Sequence, residues 1–164
     1  MAKWAEQEAK DEDMNTEFDM LSEFIRTFKA SLDPRLWIKL IKEEVAEYEE
    51  ASLAGDRVEM LKEIADVVYV KVGFLGVIGG GLGDNLLTKS ELDDWNKALE
   101  LSGDRVKEAE ALFGWDTIME AFKRVHLSNM SKLGVDGKPI FREDGKVLKG
   151  PNYKKPYLTD LIEA

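Results

Sequence analysis

Apolar side chains recur every three or four residues along most of the chain, which is the spacing of one buried face of an α-helix. The first such run consists of Phe18, Leu21, Phe24, Ile25 and Phe28. The pattern then predicts a second helix over about 35–53, with Asp33 as its N-cap, and a third over about 56–77. Gly55 lies between them and predicts a tight turn.

Weaker helical patterns follow in the second half of the chain. Ser90 suits the N-cap of a short acidic helix, which we predict over 90–101. Ser102-Gly103 predicts a break, followed by another short helix over 104–113. Asp116 is then the expected N-cap of a last helix that reaches about residue 130.

After the last helix the pattern changes to that of short strands. Two apolar runs flank Glu143-Asp144-Gly145, which predicts a β-hairpin over 140–148. The fold class is therefore all-α, a helical bundle with an antiparallel helix hairpin and a small basic C-terminal β-hairpin. We divide the chain into a flexible acidic N-terminus (1–16), an all-α domain (17–133) and a basic C-terminal appendage (134–164).

Composition and charge argue against several classes of function. The chain has 33 acids, 23 bases and a net charge of −10, which argues against a nucleic-acid polymer as partner. Cysteine is absent, which excludes disulfides and thiolate chemistry and fits a reducing cytoplasm. Charges near the start and within the longest apolar stretch lead us to expect neither a signal peptide nor a membrane span.

The charge is unevenly distributed along the chain. Residues 123–155 hold nine bases and three acids, a net charge of +6, which leaves −16 for the remainder. Such a segment is typical either of a solvated surface or of a surface that binds an anion.

Two pairs of carboxylates are placed symmetrically about Gly55. Glu44 and Glu47 belong to the second predicted helix, and Glu63 and Asp66 belong to the third. Residues three apart share a helix face, so an antiparallel hairpin places Glu44 level with Asp66 and Glu47 level with Glu63. Converging carboxylates repel each other, and a hard cation such as Mg²⁺, Mn²⁺ or Ca²⁺ would relieve this repulsion. The alternative is a solvated acidic face with salt bridges.

At these residues the chain resembles the MazG-like, all-α nucleoside triphosphate pyrophosphatase superfamily. The hallmark of that group is an ExxE pair followed by an ExxD pair, here Glu44-Val-Ala-Glu47 and Glu63-Ile-Ala-Asp66. A second block, over 122–133 and 136–150, is similar to phage and bacterial MazG-like and phosphoribosyl-ATP pyrophosphatase-like proteins. The blocks cover roughly half of the chain, and residues 79–114 are longer than the minimal family core.

The resemblance implies a Mg²⁺-dependent hydrolase that splits the α–β phosphoanhydride of a nucleoside triphosphate into the monophosphate and pyrophosphate. Mn²⁺ is the alternative metal, and the phage-like second block points to deoxynucleotides, with dGTP and dCTP as candidates. A homodimer or homotetramer in the cytoplasm, or in the host cytoplasm for a phage protein, is implied. The alternatives are a phosphoribosyl-ATP pyrophosphatase and a non-catalytic helical assembly that holds nucleotide or metal.

Specific residues follow from the resemblance and from the chemistry it implies. The expected metal ligands and catalytic carboxylates are Glu44, Glu47, Glu63 and Asp66, with Glu47 as the nominated base. Asn129 and Lys132 match the family's Asn/Lys contact to the nucleotide. The expected phosphate contacts are Lys132, Arg142, Lys146 and Lys149.

Four further features have less specific interpretations. Trp37 lies two turns before Glu44 and either packs in the core or stacks on a base. His126 is left without a role. The run from Gly79 to Gly83 lacks the Lys-Ser/Thr of a P-loop and is interpreted as a hinge. The third helix is apolar nearly all round, so we expect it to be buried, in part within a subunit interface.

Overall fold

The helices and strands follow one another as the sequence predicts in most places. The computed structural model describes residues 17–79, 87–134 and 136–163. The elements in these ranges are α1 (17–28), α2 (Pro34–Ala54), α3 (Arg57–Ile78), α4 (Lys89–Phe113), α5 (Trp115–Met130), β1 (Ile140–Phe141), β2 (Val147–Leu148) and α6 (Thr159–Glu163). This order confirms the all-α class with a small β-hairpin. The predicted flexible N-terminus and the part of the predicted glycine hinge beyond Gly79 lie outside the described residues.

The helical hairpin of α2 and α3 begins and ends at the predicted residues. The side chain of Asp33 accepts a backbone N–H of the first turn of α2 at 3.0 Å. Asp56 does the same for α3 at 3.1 Å. Gly55 ends α2 in the left-handed conformation, with φ at 69°. Because the caps fix both helix starts, the two carboxylate pairs keep their symmetric spacing from the turn.

Other helices surround α3, because nearly every side of it is apolar. It contacts α2, α4, α5 and α6. Four of its side chains are fully inaccessible to solvent: Leu61, Ile64, Ala65 and Val67. The predicted burial of this helix is confirmed, although Leu75 near its end is exposed. Of the helices in the described ranges, none has both the length and the apolar character needed to cross a bilayer.

The predicted break between two short helices is wrong. Lys89–Phe113 is one continuous helix, α4. Ser102 is buried and its hydroxyl donates to the carbonyl oxygen of Leu99 at 2.7 Å, so its polar group is satisfied inside the helix. A glycine such as Gly103 costs a helix only about 1 kcal/mol. Packing of α4 against α2 and α3 outweighs that cost.

The N-caps of α4 and α5 also differ from the prediction. Thr88 rather than Ser90 caps α4, because its hydroxyl accepts the N–H of Glu91 at 3.0 Å while the Glu91 carboxylate accepts the N–H of Thr88 at 3.2 Å. No side chain caps α5. Gly114 precedes this helix, and Asp116 lies inside its first turn, where its negative charge interacts favourably with the helix dipole.

The C-terminal segment folds back onto α2 and the end of α5. Strands β1 and β2 pair antiparallel, as predicted, and Asp144 in their turn forms an ion pair with Lys39 of α2 at 2.6 Å. The N–H of Gly150 donates to the carbonyl oxygen of Lys132 at 2.9 Å. A Cβ at Gly150 would lie 2.3 Å from the carbonyl oxygen of Leu133, so only glycine permits this approach. The domain boundaries stay a prediction.

We expect Gly73→Ala to destabilise the fold, because Gly73 of α3 lies against the ring of Trp37. A Cβ there would lie 2.2 Å from Cζ3 of Trp37, and overpacking of this kind costs about 1–3 kcal/mol. Gly76→Ala is the matched control, since nothing lies within 4 Å of its Cβ and alanine favours a helix by about 1 kcal/mol. Urea unfolding should place the two variants on opposite sides of the wild type. Equal free energies of unfolding for the two variants would contradict the close contact between Gly73 and Trp37.

Candidate active site and metal centre

Three carboxylates from α2 and α3 converge between the two helices. Glu44, Glu63 and Asp66 each place an oxygen within 4.8 Å of the others. Within the described part of the chain, Oε2 of Glu44 and Oε2 of Glu63 are buried and have no hydrogen-bond partner. Such oxygens are costly unless a cation or a proton neutralises them. The cluster fits a hard divalent cation, because every ligand it offers is an oxygen.

Burial changes the acidity of these groups. It raises the pKa of Glu44 to about 8, and the negative charges of Asp66 and Glu47 add to the effect. Burial also raises the pKa of Asp66. It raises the pKa of Glu63 too, with the charge of Asp66 acting in the same direction and Lys62 opposing it. Without a bound cation, the cluster therefore retains a proton near neutral pH.

Glu47, the fourth predicted carboxylate, lies beside the cluster rather than in it. Its side chain is exposed and lines the same cavity as Glu44 and Asp66. The predicted proximity of Glu44 and Asp66 is present, and Glu63 joins that pair. Glu47 is thus next to the three-carboxylate cluster without being part of it, a position that suits a group that handles protons.

A cavity of about 420 Å³ brings these acids together with the basic C-terminal segment. The acids that line it come from α2 and α3. Its polar lining from the end of α5 and the segment beyond consists of Ser128, Asn129, Lys132, Lys146, Lys149 and Tyr153. A metal–polyphosphate complex carries both signs of charge, and this lining complements both.

Asn129 and Lys132, the pair that the family resemblance singled out, both line this cavity. Asn129 is only 8% exposed. Burial lowers the pKa of Lys132, while the charges of Asp66 and Glu44 oppose that change. The sequence could indicate this pair because residues three apart at the end of a helix share one face.

Lys146 and Lys149 line the cavity, whereas Arg142 does not. Lys149 lines it and lies over the ring of Tyr153, with 4.8 Å from Nζ to the ring centre. Nζ of Lys146 is 3.2 Å from Oε2 of Glu43. The guanidinium of Arg142 donates to Oε1 of Glu43 at 2.9 Å and pairs with Asp144. Arg142 therefore contacts the same carboxylate as Lys146 without lining the cavity.

A smaller and mainly apolar cavity, of about 70 Å³, adjoins the first. The two share Glu44, Asp66, Asn129, Lys132, Lys146 and Val147. Trp37 lines the smaller cavity and is 2% exposed, and its indole N–H donates to the carbonyl oxygen of Ser31 at 2.9 Å. Both interpretations of Trp37 are thus compatible with its position, since it packs in the core and forms a wall beside the carboxylates.

Sequence reasoning did not include Lys62 in the site. Its Nζ lies 2.9 Å from Oε1 of Glu63 and 3.4 Å from Oδ2 of Asp66. Burial opposes its charge, but Asp66 and Glu63 together raise the pKa of Lys62. The available signal was the four-residue spacing of Lys62 and Asp66. In a chain that is 34% charged, such pairs are too common to single one out.

His126 also has partners near the site. Its Nδ1 is 2.9 Å from the hydroxyl oxygen of Tyr69, and its Nε2 is 3.7 Å from Oε1 of Glu23. Burial lowers the pKa of His126, which favours the neutral ring. Burial raises the pKa of Tyr69 and the side chain of Asn129 opposes that change, and both residues line the apolar cavity. His126 is therefore connected through Tyr69 to the wall of that cavity.

The helices that carry the carboxylates match a known family. Residues 21–79 match the model of the phosphoribosyl-ATP pyrophosphohydrolase family. That family belongs to the MazG-like, all-α superfamily of nucleoside triphosphate pyrophosphatases. This confirms the resemblance drawn from the ExxE and ExxD pairs, and it indicates a pyrophosphohydrolase, a hydrolase that acts on phosphoanhydrides. Comparison with curated proteins and with solved structures gave no match.

The metal-free protein should lose stability as the pH rises from about 5 to 8. The pKa of Glu44 is about 8 in the folded protein against an ordinary 4.5, so between these values the folded state binds more protons than the unfolded chain. Its contribution to stability is then present at low pH and lost as the pH rises. Melting temperatures measured in a chelator should show this decline.

Two variants isolate the contribution of Glu44. Glu44→Gln should flatten the decline, because its amide does not ionise. Glu50→Gln, which changes an exposed acid of α2, should leave the decline as in the wild type. Parallel pH profiles for all three proteins would show that Glu44 has no raised pKa.

Proposed function

We propose that the protein is a Mg²⁺-dependent nucleotide pyrophosphohydrolase. It cleaves the α–β phosphoanhydride of a nucleoside triphosphate and releases the monophosphate and pyrophosphate. The observation that carries the proposal is one cavity in which carboxylates from α2 and α3 and three lysines from the C-terminal region share the lining. The family match over 21–79 supports the reaction class.

Glu44, Glu63 and Asp66 are the residues that would hold the cation. Two of their oxygens are buried and lack a protein partner among the described residues. A divalent cation would provide that partner. When bound, Mg²⁺ neutralises phosphate charge and polarises the phosphorus that is attacked. Mn²⁺ accepts the same oxygen ligands and should substitute for it.

Glu47 is our candidate for the general base. Its carboxylate is exposed to the cavity and is not part of the close cluster, so an Oε atom is accessible to a water molecule beside the cation. It would accept the proton that this water loses as it attacks phosphorus. Asn129, Lys132, Lys146 and Lys149 would bind the substrate, and the lysines would contact phosphate oxygens.

The substrate candidates differ in the group attached to the triphosphate. We favour a deoxynucleoside triphosphate, with dGTP and dCTP as the first to test, and place its base or sugar against the apolar wall that includes Trp37. Phosphoribosyl-ATP is the second candidate, because the matched family bears its name. Both contain the same α–β phosphoanhydride, so the carboxylate centre would act on either.

A substrate panel tests this proposal directly. The common ribonucleoside and deoxynucleoside triphosphates and phosphoribosyl-ATP are incubated with protein and Mg²⁺, and the products are separated by chromatography. We expect pyrophosphate and a monophosphate from at least one of them. Glu47→Gln should lower kcat by about 10²-fold or more, the usual contribution of a general base, and Glu63→Gln should abolish turnover. Glu50→Gln is the control. A lack of turnover with every compound would favour the non-catalytic alternative.

Lys132→Ala should lower kcat/KM by about tenfold to a hundredfold, because a charge-assisted contact to phosphate contributes ~1.5–3 kcal/mol. Arg142→Ala is the matched comparison. It removes a base whose partners are Glu43 and Asp144, so we expect a smaller loss. If the bases only balance acidic surfaces of neighbouring subunits, Lys132→Ala would instead weaken assembly and leave kcat/KM per assembled site unchanged. Kinetics and light scattering on the same sample separate these results.

We further propose a homodimer or homotetramer in which the outer face of α3 is covered. Phe18, Leu75 and Trp115 are 44%, 49% and 44% exposed, and they line one groove with Val72 and Met119. Contiguous exposed apolar patches of this kind mark contact sites. Leu75→Glu should shift the protein toward the monomer in light scattering. Leu112→Glu, at an equally exposed leucine outside the groove, should not. A monomeric wild type would refute the assembly.

A further inference from the structure

The side-chain ammonium of Lys62 places a positive charge at the carboxylate cluster. Nζ of Lys62 contacts Oε1 of Glu63 at 2.9 Å and Oδ2 of Asp66 at 3.4 Å. The side chain of Lys62 is only 17% exposed, so this ammonium is held between the helix and the cavity rather than in solvent. Two of the three proposed metal ligands therefore already carry a positive partner.

The ammonium satisfies the cluster only in part. It contacts one oxygen of Glu63 and one of Asp66, while Oε2 of Glu63 and Oε2 of Glu44 have no partner in the described residues. A single charge of +1 cannot neutralise three carboxylates. A divalent cation on the same oxygens would lie within a few ångströms of the ammonium, and like charges at that separation repel strongly in a buried site.

A second acceptor for the ammonium lies on the same helix. Oε1 of Glu59 is 3.7 Å from Nζ of Lys62, three residues earlier in α3. The Glu59 side chain is 34% exposed and also contacts Lys155 at 3.9 Å. A rotation of the flexible Lys62 side chain would therefore transfer its charge from Glu63 and Asp66 to Glu59 without any backbone movement.

We propose that Lys62 is a positioning residue that serves as a built-in counter-ion, competes with the divalent cation for Glu63 and Asp66, and turns to Glu59 when the cation binds. It holds the two carboxylates in place in the metal-free protein, and it sets the cation concentration at which the centre fills. This inference rests on the proposed function in one respect, namely that the cluster binds a divalent cation.

Equilibrium binding of Mn²⁺ to the nucleotide-free protein, measured by calorimetry, tests the competition. Lys62→Met keeps the length of the side chain and removes its charge. We expect it to tighten the Kd for Mn²⁺ by about tenfold, because loss of the ammonium removes its repulsion of the cation. In a chelator the same variant should melt about 2–4 °C lower, since Glu63 and Asp66 lose their partner. Mn²⁺ should restore its melting temperature to that of the loaded wild type.

Two further variants make the test specific. Lys42→Met removes one charge from α2, where Lys42 pairs with Asp94 at 2.5 Å, and should change neither quantity. Glu59→Gln should weaken Mn²⁺ binding in the wild type, because it removes the second acceptor, and should have a smaller effect when combined with Lys62→Met.

The possible failures are distinguishable. If Lys62→Met binds Mn²⁺ no more tightly than the wild type does, the proposed competition is wrong and the proposed metal centre is unaffected. If neither protein binds Mn²⁺, both proposals are wrong. Equal effects of Glu59→Gln in both backgrounds would refute the transfer of Lys62 to Glu59.

Discussion

The repulsion among Glu44, Glu63 and Asp66 is the constraint around which the rest of the structure is arranged. Three carboxylates with oxygens within 4.8 Å of one another cannot all be ionised and buried without a positive partner. A rigid hairpin is needed to hold them there against that repulsion, and the packing of α3 among four other helices provides it. The destabilising cluster is thus supported by the most extensive part of the core.

The hairpin and its carboxylates could be predicted from the sequence because the signals are local. Asp33, Gly55 and Asp56 fix the helix ends through contacts within a few residues, and the spacing of the acids then follows from helix geometry. The continuity of α4 could not be predicted, because Ser102-Gly103 is a weak point on propensity alone and only packing against α2 and α3 keeps it helical. Local sequence signals identify caps and turns, whereas tertiary contacts determine whether a helix continues through residues of low helix propensity.

The same distinction explains which site residues were found. Asn129 at the end of α5 and Lys132 in the turn after it line the cavity beside the carboxylates, and their spacing and the family resemblance were sufficient to predict that they lie together. Arg142 and Lys62 differ, because their positions depend on partners: Glu43, which is far away in sequence, and acids that are indistinguishable from many others. A base in a basic segment can serve a ligand or another side chain, and sequence does not separate the two.

The contacts of the basic 123–155 segment explain why charge is distributed unevenly along the chain. Part of the positive charge of the 123–155 segment is taken up within the chain: Arg124 pairs with Asp160, and Arg142 and Lys146 share Glu43. Because two bases share one carboxylate, Lys146 can turn toward a bound anion while Arg142 continues to neutralise Glu43. Lys132 contributes its charge directly to the cavity, where burial lowers its pKa and the neighbouring acids oppose that change. The segment therefore combines structural ion pairs with cations that line the cavity, and the ion pairs fix the position of these cations.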